Sequence, residues 1–204
     1  MGSARAEALW LETLQRIAGL AAHEVKGALN GVSLNVEVVR SRADKPDTLA
    51  SNVSKFANAA SQQLEVAIAM TEALLTLARD ARQPVQPATV AAQIGALLVP
   101  AARADGKRLE VGEALDDSNA TSADGTGVRV AIGACLLAAL EQSTDARCRW
   151  DARALRIESC DGTQLSVSPE ITAVAANAGI QIVADSSVIT ISFPGSTREV
   201  AETA

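Results

Sequence analysis

One histidine, two tryptophans, two phenylalanines and no tyrosine stand among 204 residues. Aromatic side chains make up only 2% of the chain, so the stacking platforms that single-stranded nucleic-acid binders use are missing. Basic residues are outnumbered by acidic ones, 18 to 24, and the formal net charge is -6. That balance disfavours nucleic acid and anionic membrane surfaces as ligands and makes another protein the expected partner. The longest apolar run, VAIGACLLAAL, is about half of what a bilayer span needs. The N-terminus has no basic stretch followed by an apolar segment, so no export signal is read and a cytoplasmic location is expected. Cys135, Cys148 and Cys160 are odd in number and lack CxxC spacing, which indicates neither a disulfide framework nor a zinc site. They are expected to be small core residues in a reducing compartment.

What the chain does have is alanine, valine and helical periodicity, with 48% hydrophobic residues overall. From Ala4 to Arg42 no proline occurs, and Leu14, Ala18, Ala21, Val25, Ala28, Val32 and Val39 recur mostly in steps of three and four, the stripe of a bundle helix. ADKPDTLA breaks the pattern. A second stripe then runs through Val53, Ala57, Ala60, Leu64, Ala67, Thr71, Leu74 and Ala78 until Pro84 and Pro87. Residues 1–84 thus read as a long antiparallel helical hairpin. A helix of about 35 residues is roughly 50 Å long, and two such helices cannot enclose their own stripes. A homodimer, two hairpins making a four-helix bundle, is the expected solution.

After a short linker around RQPVQP the texture changes. Residues 88–204 read as a helix (ATVAAQIGALLVPAARA), a strand (RLEV), a loop from Gly112 to Gly127 and a helix (VRVAIGACLLAALEQS). Strands at CRWDA, LRIESC, IQIVAD and VITISF follow, with a short helix at PEITAVAANA. The fold class is α+β: helices on one face of a mixed sheet, appended to the hairpin.

The lone histidine lies in the first helix. At about 100° per residue, His23 is roughly 160° to 200° from Ala21 and Val25 and points away from the stripe. Its outward strip carries Arg16, Gly19, Lys26, Gly27, Asn30 and Glu37. Glycine inside a helix costs up to about 1 kcal/mol relative to alanine, yet Gly19 and Gly27 sit one turn to either side of His23. Such bare turns let another protein approach a ring nitrogen, which suits a nucleophile reached by a partner's phosphoryl group. An incidental surface histidine on an inert helical scaffold is the alternative. A metal is not indicated, because no second histidine completes an HExxH pair.

LAAHEVKGALNGVSLNVEVV resembles the phosphoacceptor box of sensor histidine kinases at His23, Glu24, Val25, Lys26, Leu29 and Asn30, while Gly27 and Ala28 depart from it. MTEALLTLARDARQPVQP is similar to the end of that family's dimerisation hairpin, so the likeness covers roughly the first 87 residues. It implies that His23 is the phosphoacceptor and Glu24 its electrostatic or general-base assistant. It makes Gly19, Lys26, Gly27, Asn30 and Leu34 partner-docking positions. Gly27 offers no side chain to position water for partner dephosphorylation.

The second half resembles the kinases' ATP-binding domain in its order of elements, but Ala134 and Ala138 stand where metal-ligating asparagines are expected. Asp161 of an adenine-binding motif is kept, with Thr163 and Leu165 in place of glycines, and about eighteen residues to Ile180 leave no room for an ATP lid. Transfer from a nucleotide needs Mg²⁺ and backbone donors on its phosphates. The resemblance therefore implies a histidine phosphotransferase that passes phosphoryl groups between receiver-domain aspartates. It would carry no cofactor of its own, the Mg²⁺ being supplied by the receiver. A non-catalytic dimer that docks a response regulator and a divergent ATP-dependent kinase are the alternatives.

Overall fold

A computed structural model describes residues 2–45, 50–79, 85–113, 121–151 and 154–195. The proline-free start forms one helix, α1 (Gly2–Ala43), of 42 residues, about 60 Å long. It is followed by α2 (Ala50–Leu77), α3 (Pro87–Ala104), β1 (Arg108–Val111), α4 (Gly125–Gln142), β2 (Asp145–Asp151), β3 (Ala154–Ser159), α5 (Pro169–Asn177), β4 (Gln181–Asp185) and β5 (Val188–Ser192). The fold is mixed α+β, as the pattern of the sequence predicts. The breaks around Pro46 and Pro84 and most of the loop after Gly112 lie outside the described residues.

Local chemistry sets the element ends. Pro87 opens α3, where a missing N–H costs nothing. Gly106, at φ 71°, closes it, its N–H donating to Arg103 while Lys107 reaches back to Ala102. Asp124 caps α4 by accepting from the Gly127 N–H at 3.1 Å. That cap starts the helix at Gly125, a turn earlier than its apolar periodicity suggests.

The five strands form one sheet in the order β1-β2-β3-β5-β4, with β1 parallel to β2 and every other pair antiparallel. Alternation along β3 and β5 turns Leu155, Ile157, Ile189 and Ile191 inward. Against that face lies α4, of whose 18 residues fifteen are buried. A helix without a polar face has to be covered all round. The sheet takes one side, α3 and α5 the flanks, and α1 the rest. At Gly133 an added Cβ would stand 2.8 Å from Thr13 Cγ2, so the absent side chain sets how closely α1 and α4 approach.

Ala6, Trp10, Ile17 and Ala21 of α1 and Met70, Ala73 and Leu77 of α2 consequently join Ile94, Leu98, Leu136 and the sheet in one hydrophobic core. The N-terminal part of the hairpin stripe, expected to need a second copy, is buried by the chain's own second half. Arg5–Glu170 and Arg16–Glu141 ion pairs border this contact at exposed positions, where such pairs contribute about 0–1 kcal/mol. Further down the hairpin, Asn35 Nδ2 donates to Gln63 Oε1 at 3.0 Å and to the Gly31 carbonyl at 3.0 Å, and the Arg42 guanidinium covers the Phe56 ring at 4.9 Å. These contacts set the register of α1 against α2.

Cys135 and Cys148 are buried core residues whose thiols are pushed up to about 12 by burial. Cys160 departs from expectation and is exposed. It is the first residue past the end of β3, where the alternation that buries Ser159 stops.

Ile17 is fully buried between the hairpin and α4, so Ile17→Ala should lower stability by about 2–5 kcal/mol. Urea unfolding followed by circular dichroism and by tryptophan emission should shift as one coincident transition. Loss of the helical signal ahead of the sheet would show instead that the two halves hold themselves together separately.

Candidate functional site

His23 is exposed midway along α1. A Cβ added at Gly19 or Gly27 would meet nothing within 4 Å, so the turns on both sides of the imidazole are open. Leu34, three turns on, is 71% exposed and about 20° round the helix from His23. Arg16, two turns before His23 on the same strip, is held by Glu141 in the last turn of α4. The end of α4 therefore borders the histidine strip at a distance of about 10 Å along α1.

The remaining predicted residues separate. Glu24 is half-buried, about 100° round α1 toward α2, and no hydrogen bond joins it to His23 among the described residues. Its influence on the imidazole is that of a nearby charge. Lys26 and Asn30 are exposed, but they also line a cleft of about 420 Å³ between α1 and α2, with Ala22, Val25, Leu29, Met70, Thr71 and Leu74. They lie on the border between the histidine strip and this cleft.

The cleft discloses a pattern that the sequence stripes blur together. Ala18, Ala22, Val25, Leu29, Val32, Val36 and Val39 follow one another at steps of four and three, and every one is exposed or half-buried. On α2, Ala57, Ser61, Leu64, Ile68, Thr71, Leu75 and Ala78 repeat the same steps, all exposed. Ala22, Val25 and Leu29 of the first row and Thr71 of the second line the cleft, which puts the two rows on one side of the hairpin; Leu29 is 46% and Leu75 60% exposed. A four-three repeat is the seam of a helical bundle. It is distinct from the row through Ala21, Gly31 and Asn35 that meets α2 and the second half. His23 lies about 100° to 180° from the seam row, so covering the seam leaves the imidazole free.

Sequence reading also missed Val66. This exposed apolar residue sits about 160° round α2 from Leu64 and Ile68. That puts it on the flank of the hairpin that His23, Gly27 and Leu34 share. An apolar exposed residue off the seam is the signal that identifies it.

In the second half, the residues that the sequence compares with a nucleotide site have defined structural surroundings. Ala134 is buried and Ala138 half-buried, and neither carries a metal-binding atom. Asp161 accepts from Thr144 N and Thr144 Oγ1, both at 2.7 Å, from Ser159 Oγ at 2.5 Å and from Thr163 N at 3.0 Å. A carboxylate offers about four lone-pair sites, and these bonds use them. The bonds from Ser159, and then those from Thr144, hold the carboxyl well below the usual carboxylate range. At the other end of α4, a Cβ on Gly127 would stand 2.4 Å from Ala178 Cβ. The end of α5 thus fills the space beside the first turn of α4. Among the described residues no group of three or more His, Cys, Asp or Glu is placed to hold a metal ion, and no helix is long and apolar enough to cross a membrane.

No family model matches the chain, and no curated protein matches it. Among solved structures it is similar to the Acinetobacter baumannii histidine kinase AdeS, at 12% identity and a TM-score of 0.39, over 85% of this chain and 98% of that one. A likeness this distant carries no argument about activity.

The Asp161 clasp has a pH signature. Its pKa is lowered on folding, so its contribution is present above the unfolded value and is lost as pH falls below about 3.8. Asp161→Asn should therefore melt below the parent protein near neutral pH, and the gap should close on acidification through that value. A gap that ignores pH would remove the carboxylate from this role.

Proposed function

We propose that this protein is a dimeric histidine phosphotransferase that relays phosphoryl groups between receiver-domain aspartates through His23. One observation carries the reading: the only imidazole of the chain stands exposed between two glycine turns that open onto space. A protein-borne acyl phosphate is a bulky donor, and its phosphorus has to come within about 3–3.5 Å of the attacking nitrogen. Gly19 and Gly27 supply that clearance, and Leu34 and Val66 supply apolar contact on the same flank.

The chemistry balances without a nucleotide. An unprotonated ring nitrogen of His23 attacks the phosphorus on the receiver aspartate. The N–P bond forms as the P–O bond breaks, and the aspartate carboxylate leaves with the electron pair. A second receiver reverses the step by offering its carboxylate to the phosphohistidine. Glu24 favours the positive charge that develops on the ring, and Lys26 and Asn30 are placed to meet the receiver's acidic surface. Mg²⁺ belongs to the receiver in this scheme. The second half of the chain serves as a docking wall beside the strip, where Arg16 meets Glu141.

The seam rows belong to the same reading. Two hairpins pairing through them make a four-helix bundle with both copies of His23 outward.

Incubation with a receiver domain carrying labelled phosphate on its aspartate should place acid-labile label on this chain and none on His23→Ala. Label persisting in His23→Ala, or no label across a panel of receivers, would leave only the docking role. Gly27→Leu should keep the fold and slow transfer by about tenfold or more, since misplacing reacting atoms by about 1 Å costs on the order of 100-fold. Sizing by light scattering should find a dimer, and Leu29→Glu with Ile68→Glu, both at exposed positions, should give a folded monomer. A double variant that stays dimeric would refute the seam.

A further inference from the structure

The free edge of the sheet at β1 opens onto a cleft of about 650 Å³, lined by Arg103 at the end of α3, by β1 and Gly112, and by Arg147, Cys148 and Arg149 of β2. None of these residues belongs to α1 or α2, so the cleft is independent of the relay site. Its charge runs against the chain, whose formal net charge is -6. Three arginines face it with one acid, Glu110, and that acid is already committed. Glu110 accepts from Arg147 Nε at 2.7 Å and from Arg108.

Arg103 and Arg149 are exposed and have no ion-pair partner among the described residues. Arg149 stands directly opposite Arg156 in the β2–β3 register, a like-charge arrangement that destabilises a sheet unless something neutralises it. Of the other acids on this face, Glu158 sits 3.6 Å from Arg156. Asp145 and Asp151 share the outward side of β2 with Arg147 and Arg149, Asp145 two residues from Arg147 and Asp151 two residues from Arg149. At the end of β1, Gly112 donates its N–H to the Cys148 carbonyl, and a Cβ there would press on that oxygen at 3.2 Å.

We propose that this cleft binds a small, multiply charged anion of the phosphate class, gripped between Arg103 and Arg149 with Arg147 held in place by Glu110. The volume falls in the range of small-ligand pockets, about 300–1,000 Å³. Planar guanidinium forks match phosphate oxygens two at a time.

Calorimetric titration of the full chain with inorganic pyrophosphate and with inorganic phosphate tests the proposal. Saturable binding is expected, tighter for pyrophosphate and unchanged in His23→Ala. The double variant Arg103→Ala/Arg149→Ala should raise Kd by about tenfold or more, as loss of charge-assisted hydrogen bonds predicts. Arg149→Gln alone should give a smaller loss in the same direction, and Arg40→Ala, on α1, should have no effect. Absence of saturable binding by both anions, unchanged binding in the double variant, or equal loss in Arg40→Ala would each overturn the site.

Discussion

The rest of the molecule depends on the close approach of α1 to α4 at Gly133. Because fifteen of the 18 residues of α4 are buried, the helix would present bare apolar surface if α1 moved away. Because Gly133 lacks a side chain, α1 can lie near enough for Thr13 and Ile17 to fill the gap. Interiors pack at crystal-like density and yield little to partial displacement. The hairpin and the sandwich are thereby parts of one core, and the exposed ion pairs at Arg5 and Arg16 decorate a contact that burial holds.

That contact determines where His23 stands. α1 runs unbroken from the packed region at Trp10 and Ile17 through His23 to the open seam at Val32 and Val36. Three faces of one helix are thus assigned to different tasks. One meets α2 and the second half, one forms the four-three seam, and the third carries the histidine strip. Only the third is interrupted by glycines without neighbours, and there the cost in helix propensity is matched by access.

Much of this was legible in the sequence. The proline-free run and the alternating segments after Ala88 locate the helices and strands, and the outward position of His23 follows from residue spacing alone. The division of labour within α1 was not legible, because small apolar residues serve both faces and a stripe read by eye fuses Ala21 with Val25. Nor does spacing reveal that Gly133 is a contact residue, since its partner Thr13 is distant in the chain. Asp161 illustrates a different limit. Its place in the sequence resembles a motif of nucleotide sites, but only the positions of Thr144, Ser159 and Thr163 show which groups it binds.

A kinase that phosphorylates its own histidine has to carry a nucleotide to the imidazole, which requires both a nucleotide site and freedom to move it. Here Ala178 fills the space beside the first turn of α4, Asp161 is engaged by its neighbours, and the second half shares a core with the helix bearing His23. A relay has the opposite requirements, because its donor arrives on another protein and the acceptor histidine gains from standing still beside a permanent wall. Packing of this kind is compatible with the proposed relay. In the proposed relay, the open turns at Gly19 and Gly27 would give a fixed site the clearance that it could not gain by opening.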